Sequence, residues 1–494
     1  MRHYLGIDIG TYASKGALVD ESGRIVAEAS RPHRMLVPQA GWAEHRPRED
    51  WWNDFTAISW QLIAESGIPP GDICSVACSA IGPCMLPVDA DGEPLMNAVL
   101  YGVDTRAAAE IEELTTRIGE EALLEHCGQA LTSQSVGPKI LWLCRNRPEI
   151  FARTAKIVTS TTYLVWKLTG RYVLDHYSAI NTGPLYLAAS NEWSDVLAPD
   201  LLPLEKLPEL LWTTEIAGGV TKAAAEVTGL AVGTPVITGT IDAASEAISV
   251  GVLDPGDMLL MYGSTIFIIA LTAGRVRDRR LWHAPWLFPG EQAASAGLAT
   301  SGTLSHWFRE QFARELDPAA AVTTLGGEAE ASPPGARGLV VLPYFSGERT
   351  PIHDPHAHGV IFGLDLTHTR GDIYRAIFEG IACAKNHIFE TYVEVGEVPR
   401  CLFAAGGGVQ NRVWAQATSD ISGRGQTVRE KTLGASYGDA FLAALAVGDV
   451  SRSDIRVWNP VANEIVPDPA TRDIYQRRYR TFRALYPRTR DLMQ

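Results

Sequence analysis

The chain has 494 residues, 46% hydrophobic and 20% charged, too long for one ordinary domain and apolar enough to fill two large cores or three smaller ones. Lys and Arg number 43 against 57 Asp and Glu, a formal net charge of −14. That balance argues against a nucleic-acid partner and requires any anion site to be built locally, from backbone N–H groups, helix N-termini or a metal.

Cys74, Cys78, Cys84, Cys127, Cys144, Cys383 and Cys401 are odd in number and form no C-x-x-C pair, the usage of scattered reduced thiols. The N-terminus reaches Asp8 before any apolar signal region forms. The longest apolar run, 258–271, is too short for a span of ~20 residues and carries Gly263, Ser264 and Thr265 at its centre. A cytoplasmic chain with no signal peptide and no membrane segment is expected.

Residues 5–11 read as an apolar strand ending in Asp8-Ile9-Gly10-Thr11, with a second strand after Lys15. Residues 24–31 predict a third strand and 75–80 another, while 51–66 and 107–118 carry apolar residues at helical spacing. An apolar strand at 235–238 leads through Gly239 to Asp242 and a helix over 243–250. A second hairpin follows, with Tyr262-Gly263-Ser264-Thr265 at its turn. Helices are expected over 303–316 and 372–391, the latter opened by Asp372 as N-cap. A short strand at 402–405 runs into Gly406-Gly407-Gly408, and a small-residue helix covers 436–447. Two hairpins half a chain apart, each opening an alternating α/β region, predict two domains on one plan. The boundary is set at 1–243 and 244–494.

Three places carry chemistry. Asp8 at a strand end, followed by the Gly10-Thr11 turn and Lys15, can hold a metal and surround a phosphate, or can be an ordinary hairpin whose Asp caps its turn. The spacing is not that of a Walker A loop. Gly263-Ser264-Thr265 offers a matching turn. Asp242, at a strand-to-helix junction, suits a base that takes a proton from an alcohol, or a helix N-cap.

This ordered set resembles the FGGY family of carbohydrate kinases, within the actin–hexokinase ATPase-fold superfamily. Gly6-Ile7-Asp8-Ile9-Gly10-Thr11 with Lys15 resembles the family's first phosphate motif, and Gly239-Thr240-Ile241-Asp242-Ala243-Ala244 the motif with its catalytic Asp. Tyr262-Gly263-Ser264-Thr265 resembles the second phosphate motif, and Ala404-Ala405-Gly406-Gly407-Gly408 with Asn411 the adenosine motif. Residues 343–351, 359–364 and 372–380 resemble further family segments.

The resemblance implies two ribonuclease H-like, actin-like ATPase domains, each a mixed sheet flanked by helices, with a cleft between them. It implies ATP and Mg²⁺ as cofactors and a small ketose or polyol as substrate. Asp242 would be the general base and Asp8 the magnesium carboxylate. Gly10, Thr11, Lys15, Gly263, Ser264 and Thr265 would serve the phosphates, and Gly406, Gly407 and Asn411 the nucleoside. Dimers are common among relatives, so a homodimer is an open expectation.

The general look is nearest to xylulokinases. Those usually carry Gln-Met-His-Gly after the strand corresponding to residues 75–80, where this chain reads Cys78-Ser79-Ala80-Ile81-Gly82-Pro83-Cys84, and Trp-x-Asp-x-Arg where it reads Tyr101-Gly102-Val103-Asp104-Thr105-Arg106. Ser79, Asp104, Arg106 and Asp242 are therefore the expected substrate contacts. A D-xylulose-like pentulose is the expected acceptor, with another pentulose, a polyol such as erythritol, ribitol or glycerol, or a silent sugar sensor as alternatives.

Overall fold

The computed structural model describes residues 1–493. Their contacts divide them into two units. The first holds Met1–Leu253, Gly274–Ala293 and Leu433–Asn459, and the second Asp254–Ala273, Ala294–Thr432 and the chain from Pro460 onward.

The sheet of the first unit is centred on the strand His3–Ile9, buried along its whole length. A strand covered on both faces reads as a near-continuous apolar run, not as an alternation. It pairs antiparallel with Ala13–Asp20, which pairs antiparallel with Ile25–Pro32. On its other side it pairs parallel with Ile73–Ala80. That strand pairs parallel with Pro235–Ile237, whose antiparallel neighbour is the edge strand Ile216–Gly219. The helix Asn53–Ser66 covers the face of Gly16 and Ile7, and the helix Ala435–Ala446 covers the opposite face at Gly6. A π-helical turn, Pro47–Trp52, precedes the first of these helices, so regular α geometry starts later than the apolar spacing predicts.

The second unit repeats the spatial order. Asp257–Tyr262 pairs antiparallel with Ile266–Thr272 and parallel with Cys401–Ala405. Cys401–Ala405 pairs parallel with Gln426–Arg429, whose antiparallel neighbour is Val461–Ile465. One difference is topological. The edge strand precedes its partner in the first unit and follows it in the second. Each unit is a mixed sheet flanked by helices.

The long helix of the second unit runs Arg370–Glu394. Its N-cap is Thr369, not Asp372: the Thr369 side chain accepts from the Asp372 N–H, and the Asp372 carboxylate accepts from the Thr369 N–H at 2.8 Å. Asp372 is thus the third residue of a capping box, in which acid and hydroxyl satisfy two orphan donors reciprocally. Among the described residues no helix is long and apolar enough to cross a membrane.

Candidate active site

Strand register assembles the first half of the site. Asp8 lies opposite Lys15 on one side and Ser79 on the other, and Ser79 lies beside Thr240. The next strand end therefore delivers Asp242, the first residue of the helix Asp242–Ser249, to the same edge as Asp8. Asp242 is not the N-cap of that helix, a place taken by Ile241. Its carboxylate accepts from the Ala243 N–H at 2.7 Å.

Acids crowd this edge. Burial pushes Asp8 well above the usual carboxylate range; Asp242, Asp439 and Glu246 push it further, and Lys15 pulls it back. Burial raises Asp242 to about 7, opposed by the Ala243 N–H and reinforced by Glu246. Burial raises Asp439 to about 7 as well, against the hydrogen bonds from Ser245 and Ser79. Burial also raises Glu246, opposed by Lys15 and by the Ala435 N–H. Such a concentration of carboxylates, balanced by one lysine, marks a place that binds protons or cations when empty.

The turn at Gly10 closes with its N–H on Ala13 O at 3.0 Å. Two histidines hold its carbonyls. His33 Nε2 lies 2.9 Å from Gly10 O, with its other nitrogen 3.0 Å from Asp54. His45 Nε2 lies 3.1 Å from Thr11 O. Trp51 Nε1 donates to His45 Nδ1 at 3.1 Å, so Nδ1 accepts and Nε2–H donates to the turn. Burial pushes His45 down to about 4, which keeps this neutral tautomer in place. Two carbonyls and the Gly10 N–H of the turn are thus tied down, which holds its shape. His45→Phe removes the bond to Thr11 O, worth about 1 kcal/mol at the turn, and also takes the acceptor from the buried Trp51 Nε1–H. The expected result is a KM for ATP raised roughly fivefold with kcat little changed, read from steady-state kinetics.

Tyr101 OH lies 3.3 Å from Thr11 Oγ1. Its segment is fixed by a buried ammonium: Lys139 Nζ donates to Leu100 O at 2.6 Å and to Tyr101 O at 3.2 Å. Burial brings Lys139 down to about 8, with Asp104 opposing. Asp104 accepts from the Ala43 N–H at 2.7 Å and from Arg106 Nη2 at 2.7 Å. Arg106 also donates to Glu44 at 2.9 Å and stacks 3.9 Å from the Trp42 ring centroid. Both side chains of the Asp104–Arg106 pair are fully buried. The pair therefore builds the wall behind Tyr101.

In the second unit, the turn Gly263–Thr265 is stapled to the start of the helix Gly302–Phe312. The Gly302 N–H donates to Gly263 O at 3.1 Å, and Ser301 Oγ donates to the same oxygen at 3.0 Å. Thr303 Oγ1 donates to Ser264 O at 2.8 Å. Gly263, Ser264 and Thr265 are exposed. Gly406, with φ +90°, lies so close to the strand before this turn that a Cβ would stand 2.7 Å from Tyr262 O. A Cβ on Gly408 would overlap Trp414 and stand 3.0 Å from Tyr262 Cβ. Asn411 caps the helix Arg412–Ser422 by accepting from the Trp414 N–H at 2.9 Å. A cavity of about 520 Å³ adjoins this segment, lined by Glu330, Arg375, Val409, Arg412 and Gln416 among others. Lys385 Nζ lies 3.6 Å from the Tyr262 ring centroid. It is buried and has no hydrogen-bond partner among the described residues. Burial holds Lys385 well below the usual lysine range.

Residues 3–249 match the N-terminal domain of the FGGY family of carbohydrate kinases, and residues 258–447 match its C-terminal domain. The chain belongs to this family. The xylulose kinase of Bacillus subtilis is 29% identical over 452 residues, 91% of this chain and 89% of that protein. The xylulose kinase of Escherichia coli is 29% identical over 499 residues, 99% of this chain and 100% of that protein. The crystal structure of xylulose kinase from Rhodospirillum rubrum superposes with a TM-score of 0.93 at 33% identity, covering 100% of both chains.

In this FGGY kinase the structure brings Asp8, Thr11, Lys15, Ser79 and Asp242 together at one sheet edge. It brings Gly263, Tyr262, Gly406 and Gly408 together in the other unit. Ser79 points its hydroxyl at acids, 2.6 Å from Asp439 and 3.4 Å from Asp8. Sequence reasoning missed Asp439, Glu246, His33, His45, Lys139 and Lys385. For Asp439 a signal was present: a lone acid inside a helix of otherwise small and apolar residues is costly to bury without partners.

Proposed function

We propose that this FGGY kinase transfers the γ-phosphoryl group of ATP to a hydroxyl of a small ketose, a D-xylulose-like pentulose, with Asp242 as general base. The observation that carries the reading is the placement of Asp242: at the head of its helix, beside the Asp8 strand end, with its carboxyl raised to about 7. A base near the working pH combines a useful ionised fraction with proton affinity. Phosphoryl transfer asks the protein chiefly for positioning and charge. The names of the relatives support a pentulose as the acceptor.

The roles divide by unit. In the first, Gly10, Thr11 and Lys15 serve the transferred phosphate, and Asp242 takes the proton of the sugar hydroxyl. The segment carrying Tyr101, Asp104 and Arg106 forms the sugar wall, and Ser79 stands beside Asp8. In the second, Gly263, Ser264 and Thr265 serve phosphates, and Gly406, Gly407 and Asn411 take the nucleoside. The groups acting on Asp8 are the carboxyls of Asp242, Asp439 and Glu246 with the single ammonium of Lys15, and carboxylate oxygens are the donors that Mg²⁺ takes. Mg²⁺ is typically held by one or two carboxylates, water and substrate phosphates, and Asp8 would be its protein anchor. Bound there, it supplies neutralisation of phosphate charge. All seven cysteines are free, which supports a reducing, cytoplasmic setting.

The test is coupled ADP release with MgATP across pentuloses, hexuloses, tetritols, pentitols and glycerol. A pentulose is expected to stimulate turnover at least about tenfold over the sugar-free rate. A polyol giving the highest kcat/KM would move the substrate to the alternative class. Sugar-free ATP turnover equal to the best stimulated rate would overturn the kinase reading itself.

A further inference from the structure

We infer that Asp439 is a positioning residue for the transfer step, locking the helix that carries Asp242 to the strands that carry Asp8 and Ser79. The inference rests on the reading of Asp242 as base and Asp8 as the magnesium carboxylate.

The helix Ala435–Ala446 is pressed between these two elements, backbone to backbone. A Cβ on Gly6 would overlap Ser436 O and stand 2.5 Å from Ala440 N. A Cβ on Gly438 would overlap Ser245 O and stand 2.7 Å from the Ser245 carbonyl carbon. Contacts between glycines and bare backbone are close, but they are also smooth. Large side chains would interlock ridges and grooves and fix rotation and slide; along Ala, Gly and Ser surfaces little does so. Directional hydrogen bonds can take over that task, as a buried polar residue fixes register in a coiled coil.

Asp439 makes such bonds to both sides. Its Oδ1 accepts from Ser245 Oγ at 2.6 Å. Its Oδ2 accepts from Ser79 Oγ at 2.6 Å and from the Ser79 N–H at 3.0 Å. Asp439, Ser79 and Ser245 are all 0% exposed, so water does not compete for these bonds. Ser245 stands one helical turn after Asp242 in the same helix. Ser79 is the register partner of Asp8, and its hydroxyl lies 3.4 Å from Asp8 Oδ1. One carboxylate thus references the base and the magnesium carboxylate to a common point. An apolar side chain in this core helix would avoid the cost of burying a charge. What Asp439 adds is the fixed geometry, and a displacement of about 1 Å at a transfer site can lower the rate roughly a hundredfold.

The test uses Ser245→Ala, Ser79→Ala and Asp439→Ala in the full chain, with steady-state kinetics and hydrogen exchange of peptides covering 242–249. For Ser245→Ala, kcat is expected to fall at least about tenfold with KM for ATP within about twofold. Amides 242–249 should exchange at least about tenfold faster. Combined with Asp439→Ala, the Ser245→Ala loss should vanish, because both remove the same bond. Should Asp439→Ala fail to fold, the two serine variants carry the test, since each deletes a single hydroxyl. Wild-type kcat and wild-type exchange in Ser245→Ala, or full additivity with Asp439→Ala, would overturn the inference. A wild-type chain that phosphorylates no sugar would defeat the functional reading instead. Exchange at 242–249 would still decide whether Asp439 fixes that helix.

Discussion

Asp242→Asn is expected to lower kcat about a thousandfold while leaving KM for ATP within roughly threefold, because removal of a positioned base typically costs 10²–10⁴ in rate and leaves nucleotide contacts intact. Asn matches Asp in size and keeps an oxygen for the Ala243 N–H, so the helix start survives and the loss reports the chemistry. Near-normal turnover in this variant would remove Asp242 from the mechanism.

The pH dependence has a definite sign. On the proposed reading Asp242 works ionised as the base, and its carboxyl is raised to about 7, so kcat/KM of the wild type should rise through pH 7 from the acid side. Asp242→Asn should lose that limb. Stability runs the other way. Asp242 and Asp439, each raised to about 7, hold protons more tightly folded than unfolded. Their stabilising contribution is complete below the ordinary carboxylate range and is lost as pH climbs through about 7. In the absence of nucleotide and metal, denaturation midpoints should therefore fall between pH 5 and 8, to a smaller extent in Asp439→Asn.

The second large effect is expected from one methyl group. Gly438→Ala should destabilise the first unit by about 3 kcal/mol and lower kcat at the same time, since the added Cβ overlaps Ser245 O in the Asp242 helix. The sign is diagnostic. In a helix interior Gly→Ala ordinarily stabilises by up to about 1 kcal/mol. Gly327, in the helix Pro318–Ala331 with nothing within 4 Å of a Cβ, should show that ordinary gain. Chemical denaturation monitored by circular dichroism compares the two variants. A stabilised Gly438→Ala would show that the helix can draw back from its neighbour without cost.

Much of the architecture was legible because it is local. A hairpin announces itself by apolar strands and a small-residue turn, and both central hairpins, His3–Asp20 and Asp257–Thr272, stand where their apolar runs place them. The Gly239–Asp242 junction was legible for the same reason, since a strand, a glycine and a run of small residues leave few other local structures. The cap at Thr369 was misplaced by three residues because Thr and Asp in a capping box are both good cap formers, and only the observed bonds separate their roles.

By itself, then, the sequence determined the two hairpin-led units and the family, and singled out Asp8, Asp242 and the glycine turns as candidates, all encoded in short contiguous stretches. Only the tertiary structure decided what surrounds them. Asp439 meets Ser245 across 194 positions and Ser79 across 360. His33 and His45 come under the Gly10 turn from another stretch of chain, and Asp104 and Arg106 close on each other inside the wall they build. Such contacts arise when separate strands and helices pack into one core, and no local periodicity carries their register.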